Sequence, residues 1–172
     1  MKKLIFIILL VSPALYSSAQ KKVYFAERRP LNNAAINICG DASILSLHYE
    51  RLFVLNPNLL LAGKLGIGFD EPTIKYLFGY TTPPNDYFIT LPHHLTCNLG
   101  KGRHFFEFGL GGSLVWEGSK RDYCLYPVAG YRLQPMKTNK LHVRFYGALP
   151  FSGNEEVNAQ FTPLGLSLGI CF

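Results

Sequence analysis

Nowhere do these 172 residues contain an apolar run of the ~18 residues that a membrane-spanning helix requires, so no transmembrane helix is expected. Charge is scarce: 16% of residues are Asp, Glu, Lys or Arg, against the ~25% of an ordinary soluble domain. No basic cluster stands out, which argues against a nucleic-acid partner. Cys39, Cys97, Cys124 and Cys171 show no CxxC spacing, so a zinc site is not supported and free thiols are the default expectation. Gly109, Gly111 and Gly112 lack the strand-then-helix context of a phosphate loop. Aromatics are plentiful at 14%, and the 16 glycines are scattered, which disfavours long helices.

The N-terminus reads as a secretory signal peptide over residues 1–19. Lys2 and Lys3 precede the apolar core Leu4 to Val11, and Ser17-Ser18-Ala19 supply small residues before Gln20. Without those two lysines the formal net charge falls from +6 to +4. Residues 20–32 read as a polar, periplasmic lead-in, with Lys21, Lys22, Arg28 and Arg29. An exported chain is permitted disulfides, but all four cysteines fall inside expected strands.

From residue 33 onward the period is two. Eight strands are expected: Asn33 to Cys39, Ile44 to Phe53, Leu59 to Phe69, Tyr87 to Leu99, Arg103 to Trp116, Tyr123 to Gln134, Lys140 to Phe151 and Phe161 to Phe172. Most are longer than the ~5–6 residues usual in globular sheets. Tight turns are expected around Asn56-Pro57-Asn58, at Gly100-Lys101-Gly102 and over Pro135 to Asn139. Longer links are expected at Asp70 to Asp86, Glu117 to Asp122 and Ser152 to Gln160. The link Gly40 to Ser43 is short and departs from that sorting.

The two faces differ in composition. Leu45, Leu47, Tyr49, Arg51 and Phe53 oppose Ser46, His48 and Glu50, and Leu59, Leu61, Leu65, Ile67 and Phe69 oppose Ala62, Lys64, Gly66 and Gly68. Phe106, Phe108, Leu110, Leu114 and Trp116 oppose Arg103, Glu107, Gly109, Gly111 and Ser113. Leu141, Val143, Phe145, Leu149 and Phe151 oppose His142, Arg144 and Tyr146. Arg51 is the one charge on the apolar face; the other face adds Arg132 and Lys140. Small residues with few charges suit a crowded lumen better than a solvated surface. The bulky face would overfill an eight-stranded interior, which holds little beyond its own side chains. Lipid imposes no such volume limit. The expectation is an all-β, eight-stranded antiparallel up-and-down transmembrane barrel over residues 33–172, with apolar side chains outward. Phe53, Tyr131 and Phe172 would form one interfacial belt; Phe69, Tyr87, Trp116, Tyr123 and Phe151 the other. Pro92 and Pro127 should mark bulges or strand ends.

The ending G-L-S-L-G-I-C-F resembles the closing strand of bacterial outer-membrane β-barrels. The stretches S-L-H-Y-E-R-L-F (46–53), I-T-L-P-H-H-L (89–95), G-K-G-R-H-F-F-E-F-G-L-G (100–111) and P-V-A-G-Y-R-L-Q-P (127–135) resemble small OmpA/OmpX-like barrels. The resemblance implies a bacterial outer-membrane location, membrane lipids as surroundings, and the terminal Phe172 as part of the signal read by the barrel-assembly machinery.

Chemistry is sparse. Ser46, His48 and Glu50 share a face, but i, i+2, i+4 spacing spreads them ~6–7 Å per step, which is too far for a triad. His93 and His94 point to opposite faces and cannot chelate together. No catalytic, cofactor-binding or metal-ligating residue is assigned, and no enzyme is expected. Glu50 and Glu107 are expected to pair with some of Lys64, Arg103, Arg132 and Arg144 and to plug the lumen. Tyr76, Phe78 and Tyr80 make the Asp70 to Asp86 loop a candidate surface contact. The expected role is structural or interaction-based; a narrow channel, a lipid-modifying enzyme and a soluble lipocalin-like binder are the alternatives.

Overall fold

The computed structural model describes residues 29–70, 88–117, 120–136, 139–149 and 162–172. Eight strands close into one antiparallel barrel in chain order: β1 (Asn32–Ile38), β2 (Leu45–Asn56), β3 (Leu59–Asp70), β4 (Phe88–Lys101), β5 (His104–Glu117), β6 (Lys120–Leu133), β7 (Leu141–Ala148) and β8 (Leu164–Cys171). All eight expected strands exist, within a few residues of their expected bounds. The signal-peptide reading, the Asp70 to Asp86 loop beyond Asp70, and Ser152 to Gln160 lie outside the described residues.

The last strand closes the sheet. Asn33 pairs with Cys171 and Ile38 with Leu166, and Asn32 and Phe172 exchange backbone hydrogen bonds of 3.1 and 2.9 Å. No backbone edge is left between β8 and β1, as a barrel requires. The registers also show the tilt. From Arg132, one direction runs through Arg144, Ser167 and Asn37 to Ser46 of β2. The other runs through Phe105 and Gly100 to the turn beside Asn56 of the same strand. The two arrivals are offset by roughly ten residues, the stagger that tilted strands need to close.

The barrel has a turn end, with the β2–β3, β4–β5 and β6–β7 connections, and a loop end. At the loop end one expectation is corrected. Glu117 to Asp122 is not a long charged loop: β5 and β6 run on until Glu117 faces Lys120. A charged stretch can continue a strand past an apolar band, because the ladder needs only backbone groups. Cys39 is corrected too. It sits in the link after β1, in a left-handed conformation (φ 61°), and not in a strand. The four cysteines are free.

At Pro92 the ladder to β3 lapses between Leu65↔His93 and Gly68↔Thr90 and resumes in the same register. Proline removes the donor without shifting the chain. Pro127 lies just beyond the last β6–β7 pair, Val128↔Ala148, and so at a ladder end.

The faces point as their composition requires. Leu47 (64% exposed), Leu65 (55%), Leu110 (54%) and Leu168 (45%) project outward, while Glu50, Lys64, Glu107, Arg132 and Arg144 are buried inside. Of the expected belts, Phe69, Tyr123, Tyr131 and Phe172 are exposed, and Phe53 and Trp116 are half-buried. Tyr87 and Phe151 lie outside the described residues.

Candidate functional site

Among the described residues, chemically active side chains converge in the interior, which forms three layers. At the turn end Leu52, Leu60 and Phe105 are buried. The Arg29 guanidinium lies 5.0 Å from the Phe105 ring centroid and donates to Gly102 O at 2.9 Å. Part of the expected lead-in is thus packed against this mouth. At the loop end Ala42, Phe88 and Val115 form an apolar cluster. Sequence reading missed both apolar caps. Their signal was present: Phe88 and Phe105 fall in the phase otherwise occupied by small and polar residues.

Between the caps lies an ionic layer. Arg132 donates twice to Glu50, Nη1 to Oε1 at 2.8 Å and Nη2 to Oε2 at 2.5 Å. Its Nη2 also lies 3.4 Å from Glu107 Oε1. Arg144 Nε donates to Glu107 Oε2 at 2.5 Å, and the Thr96 hydroxyl donates to Glu107 Oε1 at 2.6 Å. The expected pairing of both glutamates therefore involves Arg132 and Arg144. Lys64 goes elsewhere, and Arg103 is half-buried at the β4–β5 turn with no carboxylate partner among the described residues. Lys140 is exposed.

Lys64 goes to a residue that sequence reading did not select, Asp41. The short link after β1 turns inward, so Gly40, Asp41, Ala42 and Ser43 are all buried. Left-handed φ at Cys39, Gly40 (84°) and Ala42 (59°) makes the tight reversal; Cys39 and Ala42 pay a steric penalty that glycine avoids. The Asp41 carboxylate then gathers donors from five strands. Oδ2 meets His48 Nε2 at 2.9 Å, Asn37 Nδ2 at 2.8 Å, Ser46 Oγ at 3.3 Å and Lys64 Nζ at 3.4 Å. Oδ1 meets His94 Nε2 at 3.0 Å and accepts from the Tyr146 hydroxyl. Ser113 Oγ donates to Asp41 O at 2.7 Å. Burial alone would raise this carboxyl. Lys64 foremost, then His94 and hydrogen bonds from both imidazoles, outweigh burial and hold it well below the ordinary carboxylate range.

The tautomer of His94 follows from its partners. Arg144 Nη2 is donor-only and stands 3.1 Å from His94 Nδ1, so the ring proton sits on Nε2 and faces Asp41. With Asp41 included, buried carboxylates (Asp41, Glu50, Glu107) and strand-borne cations (Lys64, Arg132, Arg144) balance. That balance lets six ionic groups share a buried interior.

The Ser46, His48, Glu50 row does not form a catalytic relay. Glu50 turns to Arg132, while Ser46 Oγ (2.7 Å) and Asp41 Oδ2 both contact the same nitrogen, His48 Nε2. Nδ1 has no partner. A triad needs the orienting carboxylate on the nitrogen opposite the nucleophile. His94 points in and His93 half out, as alternation demands. Among the described residues, no group of three or more His, Cys, Asp or Glu side chains is arranged to hold a metal ion.

Luminal glycines make room for these rings. A Cβ at Gly165 would stand 2.5 Å from Tyr146 Cζ, one at Gly66 would meet the His48 ring, and one at Gly111 would stand 2.8 Å from His94 Cδ2. Comparison with known proteins finds no matching family model, no matching curated protein and no matching solved structure.

Proposed function

We propose that this chain is an integral outer-membrane β-barrel protein with a structural or surface-interaction role and a lumen sealed by its own side chains. The observation that carries the reading is the inversion of the two faces. Large aliphatic and aromatic groups surround the outside, while the ionic groups are buried inside. Water gives no reason for that arrangement. Apolar surface left in contact with water forgoes ~25 cal/mol per Å², whereas acyl chains accept it without penalty. Strands β2 to β6, of 12 to 14 residues, exceed the ~9–11 that a tilted strand needs to cross hydrocarbon.

The same inversion disfavours the lipocalin-like reading, which needs apolar side chains converging on a central calyx. The channel reading meets an interior filled with paired charges and capped by apolar layers. The lipid-modifying reading lacks a nucleophile joined to an oriented base among the described residues. The test is membrane fractionation followed by heat-modifiable gel migration and planar-bilayer recording. A detergent-requiring band that shifts on boiling, with no stable large conductance, is expected. A protein that stays in solution without detergent would overturn the membrane reading; a steady large conductance would overturn the sealed lumen.

A further inference from the structure

Between the strand ends, Arg51 is the one charged side chain on the outward faces of the described strands. It has no carboxylate partner among them. Its Nη1 donates at 2.5 Å to Asn32 Oδ1, which also accepts the Tyr49 hydroxyl at 2.8 Å. The position across from Arg51 on β3 is Gly63, and nothing lies within 4 Å of where its Cβ would stand. Space is therefore open beside the half-buried Arg51 side chain. One step toward the loop end, ~6–7 Å along the strand, begins a groove of about 430 Å³. Its outward lining is apolar: Ala34, Leu47, Leu65, Ile67 and Leu91, with the Tyr49 ring. Tyr49 thus belongs to both the polar cluster and the groove.

We propose that this wall is a seat for one anionic glycerophospholipid, its phosphate on Arg51 beside Gly63 and one acyl chain in the groove. The proposal rests on the membrane reading above. A guanidinium suits a phosphate because its planar fork of N–H donors matches two oxygens at once. A groove lined by hydrocarbon suits a chain with no polar atoms. A second copy of this protein is the weaker occupant. Between their ends, the outward faces of the described strands offer no carboxylate to meet Arg51.

The test is native mass spectrometry of the folded barrel in a non-ionic detergent, titrated with dioleoyl phosphatidylglycerol. One lipid per barrel is expected. Arg51→Gln should weaken binding about tenfold, as should Gly63→Leu, which fills the seat but keeps the charge. Diacylglycerol with the same chains should bind about tenfold more weakly, and inorganic phosphate alone should not displace the lipid. Folding of each variant is verified by heat-modifiable migration. Unchanged binding by Arg51→Gln, equal binding of diacylglycerol, or displacement by inorganic phosphate would overturn the seat. A detergent-requiring barrel that takes up no lipid sinks the seat alone; a barrel soluble without detergent sinks the membrane reading first.

Discussion

The two halves of the ionic layer are built differently. Toward the turn end, Glu50, Glu107, Arg132 and Arg144 all stand on strands and meet as a two-against-two network. Toward the loop end, one carboxylate from a link, Asp41, holds Lys64, two histidines and Tyr146. The first is a chain, Glu50–Arg132–Glu107–Arg144, whose two middle members each have two ionic partners. The second depends on a single residue, on a backbone that holds Cys39 and Ala42 at positive φ. Each half has one carboxylate whose loss strands a buried cation, Glu107 for Arg144 and Asp41 for Lys64, but only the second also anchors a link.

The sharpest way to break the comparison is to remove charge from each half in turn. Glu107→Gln leaves Arg144 without its 2.5 Å carboxylate and Arg132 with Glu50 alone. A loss of about 3–5 kcal/mol is expected in urea unfolding from lipid vesicles, followed by the heat-modifiable band. A loss below about 1 kcal/mol would show that water reaches the cluster.

Asp41→Asn should cost about 3 kcal/mol, because Lys64 is left buried and unpaired. Adding Lys64→Met should recover at least about 1 kcal/mol of that, a coupling that independent sites would not show. The released link should also expose the half-buried Cys39 thiol to a water-borne maleimide. Acid discriminates further. A depressed carboxyl contributes fully above the ordinary range, about pH 4, and loses its contribution only as pH falls through the lower folded value. Measured against the same cysteine in the urea-unfolded chain at the same pH, Cys39 of the unaltered protein should therefore be protected from labelling as fully at pH 5 as at pH 7; weaker relative protection at pH 5 would contradict the latch.

The smallest effects should come from glycines on opposite sides of one wall. Gly165→Ala drives a methyl into the Tyr146 ring, and about 1–3 kcal/mol of destabilisation is expected. Gly63→Ala enters open space and should stay within about 0.5 kcal/mol. Equal costs would mean that the interior is not close-packed around Tyr146.

The contrast between halves is also a contrast in legibility. Glu50, Glu107, Arg132 and Arg144 could be placed inside from alternation alone, because a strand sends every second residue to one face. The arginines' choice of glutamates was readable to that extent. Asp41 was not, since a link residue has no period. Whether four residues turn out to water or fold inward depends on what waits inside. Arg103 misled for a related reason: it keeps the inward phase but sits at a turn, where the wall ends. The β5–β6 connection misleads because charges suggest a loop, while a strand rising past an apolar band carries charges equally well.

Strand number, alternation, the outward aromatic and aliphatic surface and the pairing of the last strand with the first were determined by the sequence alone. Each follows from a local repeat of two and from the need to leave no backbone edge unpaired. Tertiary structure alone decided that Asp41 enters the lumen, that Lys64 answers it in place of Glu50 or Glu107, and that Phe88 and Phe105 cap the interior. Those outcomes depend on stagger. A closed sheet offset by roughly ten residues brings together side chains far apart in the chain, and no local pattern encodes which ones share a level.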